Sequence, residues 1–299
     1  MQSNVNLTRK EILKKYKKKS RLQEIWYRFT RNRMAVLGLI LMLVIVVAAI
    51  IAPLVLDYNT QVVGRNVKER NLAPSFQHIF GTDGSGRDVL ARVLWGARTS
   101  LMIGFVSCLF SLLIGGILGA IAGYLGGVVD EVIMRFMDIM MCLPEMLLAI
   151  AIVAALGTSV VNMILAIGIS RIPRFARIVR SAVLTVRDTE YVEAARAIGA
   201  GNATIVTRHV LLNCLAPIVV QATIIFASAI LAISSLSFLS LGIQPPAPEW
   251  GNMLSEGRKY MELYPNLVLA PGLAIFLSIF SLNLFGDGLR DALDPRLKQ

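Results

Sequence analysis

Long apolar stretches separated by shorter polar ones dominate this chain from residue 34 onward. A helix rises 1.5 Å per residue, so about 20 apolar residues cross the hydrocarbon core of a bilayer. The pattern predicts an all-α, polytopic membrane protein with six transmembrane helices. The predicted spans are about 34–56, 99–122, 132–156, a fourth from near Val160, 214–235 and 267–284.

One polar stretch, residues 188–213, interrupts the apolar second half of the chain. It is too polar to span a bilayer, and Asp188 or Thr189 can cap a helix over about 190–199. Glycines can end that helix, since they tolerate a positive φ, and an asparagine can cap a second helix. These residues are Gly199, Gly201 and Asn202, with the second helix running toward Leu212. The pattern predicts a compact pair of short helices.

Composition agrees with a membrane protein and locates the charge at one end. Of 299 residues 56% are hydrophobic and 16% charged, the mean hydropathy is +0.66, and the net charge is +11. Residues 1–33 hold eleven Lys/Arg against two acidic residues. A basic run beside a span indicates a cytoplasmic N-terminus and is not taken as a nucleic-acid site. Residues 20–33 predict either an interfacial helix or an extension of the first span.

Ionisable residues inside predicted spans are candidates for a translocation path. Asp138 and Glu145 are the two candidates, with helix packing as the alternative, and Arg135 could pair with Asp138 three residues away. Arginines recur at every third position of the fourth span, which favours anchoring at the membrane rim and contact with phosphates or a partner over a voltage sensor. These are Arg171, Arg174, Arg177 and Arg180.

Regularly spaced glycines predict a packing face, and the sequence contains no recognised metal-binding or ATP-binding motif. Glycines at four-residue intervals predict a helix-packing face, namely Gly115, Gly119, Gly123 and Gly127. The three cysteines and two histidines form no metal motif, the methionines near 134–146 favour packing over metal transport, and no cofactor is expected. Without a Gly-Lys-Ser/Thr phosphate loop, the chain is not expected to bind ATP or act as an enzyme.

Several motifs resemble those of ABC-importer permeases, in matching order. Glu193-Ala194-Ala195, Gly199 and the segment from Arg208 resemble the EAA loop, which in that family docks on the cytoplasmic ATPase. Residues 78–90, 236–254 and 286–295 resemble the C-type permeases of the dipeptide, oligopeptide and nickel subfamily. Three positions depart from the pattern: Leu212, where proline is expected; Ile233, near an expected acid; and Ser240, where glycine is expected.

The resemblance implies a type I ABC-importer permease of a bacterial or archaeal cytoplasmic membrane, with both termini cytoplasmic. Implied partners are a second permease in a heterodimer, two ABC ATPases, an extracytoplasmic substrate-binding protein and the lipid membrane, without nucleic acid. Glu193, Ala194, Ala195, Gly199 and Arg208 would couple to the ATPases. The expected regions are a basic tail with interfacial helix (1–33), the first span (34–56), an extracytoplasmic segment (57–98), a core (99–288) with coupling loop 183–213, and a C-terminal tail (289–299).

Peptides are the favoured substrate, and nickel or a metal chelate is the alternative within the subfamily. From other classes, a gradient-driven transporter or channel would use Asp138 and Glu145 without an ATPase, and a membrane scaffold would transport nothing. Substrate identity is not encoded in a recognisable motif.

Overall fold

The computed structural model describes residues 21–293, and side chains from residue 23 onward. The basic tail before residue 21 and residues 294–299 lie outside the described part. In chain order, the described helices of eight or more residues are α1 (Arg21–Arg31), α2 (Arg33–Val55), α3 (Val89–Leu125), α4 (Gly127–Met141), α5 (Glu145–Leu156), α6 (Val160–Val186), α7 (Glu190–Ala197), α8 (Asn202–Phe238), α9 (Trp250–Gly257) and α10 (Asn266–Leu293).

The helical fold agrees with the all-α prediction, but six spans are not recovered as such. By length and composition, α2, α3, α8 and α10 can cross a membrane, and the bent pair α4–α5 would be a fifth span. Helix α6 has 27 residues, which is long enough, but it carries four arginines. Within the described residues the count is therefore four or five, because the sixth predicted run is too charged.

Two spans begin well before their predicted starts. Helix α3 begins at Val89 and not at residue 99, because Asp88 caps it by accepting a hydrogen bond from the Ala91 amide. Helix α8 begins at Asn202 and not at 214, since a π-helical stretch, Ile205–Val210, joins its first turn to the rest. The predicted second short helix near Leu212 is thus the first part of a membrane-length helix.

The predicted third span is broken in two. Helices α4 and α5 meet at an angle of 84° across Cys142–Pro144. A proline cannot donate the hydrogen bond that a continuous helix requires and disfavours a helical residue before it, and Pro144 instead precedes the first residue of α5 in an extended conformation. The span predicted at 132–156 is therefore wrong as a single straight helix.

The N-terminal helix is separated from the first span and packs on the last one. Asn32, in an extended conformation, interrupts the helix and caps α2 through its side chain. Phe29 is buried against Ala35 and Ala292, whereas Trp26 of the same helix is largely exposed. The helix thus docks on α10 through Phe29, and an interfacial position stays a prediction.

Close packing of α3 against α6 forms the centre of the molecule. A Cβ on Gly115 would lie 2.5 Å from the Ile172 carbonyl oxygen, and one on Gly123 would lie 3.0 Å from that of Arg180. One on Gly119 would collide with the backbone of Ala176. Gly127 has no atom within 4 Å of such a Cβ, so the four-residue series that faces α6 ends at Gly123.

The two connections at the opposite end of the helices pack on one another. Residues 56–88 contain only short turns, and they meet the segment that follows α8. Arg87 reaches across to Glu256, and the Asn266 side chain donates to the Phe80 carbonyl. Trp250 of α9 is buried and donates from its indole to the Val93 carbonyl, 2.9 Å away. These contacts tie the connections to the first turns of α3 and α10.

Candidate functional site

The predicted coupling residues lie on and after α7, at the end of the molecule where α3 and α6 finish. Val192 and Ala195 are buried and pack with Val183 at the end of α6 and Ile205 at the start of α8. An α-helix has 3.6 residues per turn, so the burial of Val192 and Ala195 directs Glu193 and Ala194 away from the packed side. Both residues are exposed. Helix α7 is held on one face and open on the other.

Polar contacts fix the position of α7 relative to the long helices. Arg187, just before α7, donates to the Gly123 carbonyl at 2.8 Å, near the end of α3. Tyr124 donates to the Asn202 side chain at 3.0 Å, and the guanidinium of Arg196 lies over the Tyr124 ring. Short, specific contacts therefore join the α7 region to α3 and α8.

Gly199 ends α7 as predicted, in a left-handed conformation with φ of +84°. No atom lies within 4 Å of a Cβ placed on it, and Ile198 beside it is 85% exposed. Gly201, also expected to end the helix, has φ of −69° and instead precedes α8 as its cap. Arg208 is exposed on the π-helical stretch, so all the coupling candidates except Ala195 lie at the surface.

The exposed apolar surface on α7 is large for so short an element. Tyr191 is 44% exposed, and Ile198 is the most exposed isoleucine of the chain's described part. Exposed apolar side chains grouped on one side of a helix are typical of protein–protein contact sites. The surface formed by Tyr191, Glu193, Ala194, Ile198 and Gly199 is called the α7 face below.

The two path candidates, Asp138 and Glu145, are both paired with arginines of α6. Arg177 donates to Asp138 at 2.7 Å, and the expected Arg135–Asp138 pair does not form. The Nε of Arg171 lies 2.5 Å from Glu145, and Arg171 is only 3% exposed. A third pair joins Arg180 to Asp130 at 2.5 Å. Three of the four arginines thus fasten α6 to the broken helix α4–α5, and anchoring at the membrane rim stays a prediction.

A hollow in two adjoining parts lies beside these pairs. Its larger part, about 1080 Å³ of space that includes open solvent, is bordered by Met140, Arg174 and Gln221. A second part of about 520 Å³ is bordered by Leu231 and Ser235 of α8. Glu145 and Ser170 border both parts. The hollow is called the α5–α6–α8 groove below, and its wall mixes apolar side chains with hydroxyl, amide and charged groups.

A buried carboxylate at the opposite end of the chain was not anticipated. Glu249 is fully buried and caps α9 by accepting hydrogen bonds from the Gly251 and Asn252 amides at 2.9 Å. Ser100 of α3 donates to it at 3.2 Å. Burial raises the pKa of Glu249, and the backbone donors offset only part of that effect. The acid preceding Trp250-Gly251 was the signal for this cap.

Buried ion pairs near Glu249 were missed as well. Arg87 and Arg92, 3% and 1% exposed, share Asp83 and Glu256 as partners at 2.6–3.1 Å. Arginines are almost never buried without partners, but their acids lie up to 169 positions away. Only tertiary structure brings them together.

The positions that depart from the resembled pattern have plain structural settings. Ile233 is fully buried in an apolar cluster with Ile103 and Leu236, so an acid there would lack a partner. Ser240 has φ of +63°, a conformation that favours glycine. Leu212 is exposed and lies within the uninterrupted part of α8.

Family comparison matches the geometry of a membrane-embedded transport subunit. Residues 115–299 match the family described as the binding-protein-dependent transport system inner membrane component, which is more than half of the chain. Residues 20–74 match the N-terminal transmembrane domain of oligopeptide transport permease C. The chain therefore belongs to the binding-protein-dependent transport permeases: it is a non-catalytic, multi-pass subunit of an ABC transporter of the inner membrane, and partner subunits hydrolyse ATP.

Three similar proteins are named as permeases for short peptides. The dipeptide transport system permease protein DppC of Alkalihalophilus pseudofirmus is 46% identical, over 92% of this chain and 90% of the relative. The di/tripeptide permease DppC of Pseudomonas aeruginosa is also 46% identical, over 93% of each chain. The glutathione permease GsiD of Escherichia coli is 42% identical, over 92% of this chain and 90% of the relative.

A solved structure supports the fold independently. The methionine ABC transporter MetNI, determined in inward-facing conformations, contains a chain that superposes with a TM-score of 0.55. The match covers 69% of this chain and 97% of that chain at 21% identity. At that identity the likeness supports the ABC-importer permease fold alone.

Proposed function

We propose that this chain is the permease subunit through which an ATP-driven importer takes up short peptides. The single observation that carries the proposal is the 46% identity, over nine-tenths of both chains, to a dipeptide permease. Glutathione, named for another relative, is itself a short peptide with free carboxylates. The shared property of these substrates is a compact zwitterion.

Nickel transport has less support. The relatives compared above are named for peptides or glutathione. Within the described residues no cluster of three His, Cys, Asp or Glu side chains could hold a metal ion. The α5–α6–α8 groove also has more arginines than acids, which disfavours a free divalent cation.

A gradient-driven mechanism would need acids free to exchange protons or ions. Asp138 and Glu145 are instead paired with Arg177 and Arg171, so neither acid can take up an ion without giving up its arginine. Transport is therefore assigned to ATP-driven movement of the helices that carry these pairs.

The proposed assembly is a heterodimer with a second permease, two ATPases on the α7 side and a substrate-binding protein on the side of α9. The basic tail supports a cytoplasmic N-terminus by the positive-inside trend. Asn32 and Asp291 lie at one end of the molecule, 3.3 Å apart, which supports the same side for the C-terminus. The groove between α5, α6 and α8 is the part of the path that this subunit contributes.

The α7 face is the proposed contact for an ATPase. Its exposed Ile198 and Tyr191 supply apolar area, and Ala194 and Gly199 permit close approach of a partner backbone. Glu193 offers a charge for a cation on the partner, and Arg208 a charge of the opposite sign. The contacts from Arg187, Tyr124 and Arg196 support transmission of a push to α3 and α8.

Variants at Gly199 test the proposal in reconstituted vesicles containing both permeases, the ATPases and the binding protein. Any L-residue at φ +84° costs about 1 kcal/mol of strain, so Gly199→Ala and Gly199→Leu perturb the fold alike. Only leucine projects far into a partner. Gly199→Leu is expected to insert normally but to abolish ATP-driven dipeptide uptake, whereas Gly199→Ala retains most of it. Equal uptake by both variants would contradict the coupling role.

A co-purification experiment separates the classes of function. The detergent-solubilised wild-type chain is expected to bring down an ATPase, and alone in vesicles it is expected to take up no peptide. Uptake by the isolated chain without an ATPase would favour the gradient-driven class, and unchanged peptide uptake after deletion would favour a scaffold.

A further inference from the structure

The arginine series of α6 contains one member without a counter-charge. Arg171, Arg177 and Arg180 are each paired with an acid of the broken helix α4–α5. In the part of the chain that the structure describes, Arg174 makes no ion pair and no side-chain hydrogen bond, and its side chain is exposed. Together these three ion pairs and Arg174 carry one uncompensated positive charge.

That charge borders the larger part of the α5–α6–α8 groove. The same space is bordered by the amide of Gln221 from α8 and by Ser170 and Pro173 from α6. Met140, Met141 and Leu143 provide an apolar side. A guanidinium beside an amide and apolar side chains suits a ligand that has a carboxylate and short aliphatic groups.

Pairing explains why Arg174 differs from its neighbours. The guanidinium of Arg171 is occupied by Glu145 and lies 3.4 Å from the Ile225 carbonyl. Arg177 is occupied by Asp138. A carboxylate approaching either residue would have to displace a bonded acid of the chain itself. At Arg174 it meets donors with no partner to displace.

An unpaired arginine beside a groove of a membrane protein is a candidate for a functional role. Ionisable side chains that lie within a membrane are costly and mark substrate or ion pathways. An arginine presents a planar fork that binds a carboxylate through two parallel hydrogen bonds, which a lysine cannot reproduce. These points distinguish Arg174 from a residue that only tolerates its position.

We infer that Arg174 is a binding site in the α5–α6–α8 groove for the carboxylate of the transported peptide. The inference rests on the proposed peptide transport and adds a named recognition residue to it. One peptide carboxylate matches the one uncompensated charge. The paired arginines of α6 keep the rest of the wall neutral, so a bound zwitterion meets no second strong anchor that would slow its release.

The test compares a dipeptide with its C-terminal amide in the reconstituted complex. The probes are radiolabelled alanyl-alanine and alanyl-alanine amide, each supplied on binding protein whose occupancy is measured separately. Arg174→Gln removes the charge, and Arg174→Lys keeps it without the fork. Arg135→Gln is the matched control, because Arg135 is 72% exposed outside the groove and lies 3.8 Å from Glu131.

The expected result is selective. Arg174→Gln should lower uptake of the free acid about tenfold, the loss of a charge-assisted hydrogen-bond pair, and leave uptake of the amide within about twofold. Arg174→Lys should give an intermediate value with a raised KM for the acid, and Arg135→Gln should match the wild type.

Three results would overturn the inference. The first is an equal fall for acid and amide, and the second is no fall for either. The third is loss of the second permease from purified Arg174→Gln, which would assign Arg174 to an ion pair between subunits; Arg174→Lys, which preserves charge, would then restore assembly and both substrates together. If the wild-type complex moves neither probe, the proposed peptide transport itself fails, which is a separate outcome.

Discussion

Removing the carboxylate of Glu145 should destabilise the subunit far more than removing both members of its pair with Arg171. Arg171 is 3% exposed, and its Nε donates to Glu145 at 2.5 Å. In Glu145→Leu the guanidinium keeps only the Ile225 carbonyl, 3.4 Å away. Breaking a buried pair costs about 3–5 kcal/mol.

The exposure of the partner lowers the expected cost below that of a fully buried pair. The Glu145 side chain is 39% exposed, so water replaces part of the lost interaction and the expected cost is about 2–3 kcal/mol. The double variant Glu145→Leu with Arg171→Met replaces the pair by apolar groups of similar size, and should lie within about 1 kcal/mol of the wild type. Asp138→Asn, in a half-exposed pair, should cost less than about 1 kcal/mol.

Thermal unfolding of the purified complex in detergent, followed by intrinsic fluorescence, measures these differences. The single variant should lower Tm by about 5 °C or more, and the double variant by about 2 °C or less. A single variant as stable as the wild type would refute the reasoning, since Arg171 would then not depend on Glu145. A double variant as unstable as the single one would refute it as well.

Three further predictions concern other parts of the fold. Gly119→Ala places a Cβ against the Ala176 backbone and should cost about 1–3 kcal/mol, seen as a lower Tm, whereas Gly116→Ala, whose Cβ would have no neighbour nearer than 4.0 Å, should leave Tm almost unchanged. Because the pKa of Glu249 is raised, its contribution to stability is present at low pH and is lost as pH rises through the folded-state pKa; Glu249→Gln should flatten this dependence in pH-resolved unfolding. Cys142 is exposed and the other two cysteines are buried, so an uncharged maleimide should label one thiol per folded chain, and rapid labelling of three would contradict the packing.

Apolar runs predicted the helices best where both ends are polar. The first span, expected at 34–56, is observed at Arg33–Val55, because Asn32 supplies a cap and a polar connection follows the helix. The starts of α3 and α8 were missed for a common reason. Both helices extend beyond their apolar part. Polar residues such as Arg92 led the extension of α3 to be assigned to the preceding polar segment, and those such as Arg208 led the extension of α8 to be predicted as a separate short helix.

Tertiary relationships account for the remaining differences. The pattern of residues 132–156 is apolar throughout, and composition alone does not reveal an 84° bend, although Pro144 marked its place. The ion pairs of the α6 arginines were not predicted, because their acids lie 26 to 50 positions away in the chain. The sequence alone indicates only that a buried arginine such as Arg171 would need a partner, because an unpaired buried charge is costly.

The candidate coupling residues were recognisable from a motif, whereas the groove was not. Glu193, Ala194 and Gly199 stand out by spacing, and the positive φ at Gly199 follows from glycine's conformational freedom. Arg174 can be recognised as the unpaired arginine only after the partners of Arg171, Arg177 and Arg180 are known.

The most direct test of the account asks which side of the membrane the α7 face lies on and what it contacts. Ile198→Cys and Leu263→Cys, both highly exposed at opposite ends of the molecule, are compared in Cys142→Ser chains with an impermeant maleimide. The account predicts labelling of position 198 only in inside-out vesicles, protection there by the ATPase, and labelling of position 263 only in right-side-out vesicles. Labelling of position 198 from outside, or no protection by an ATPase, would contradict it.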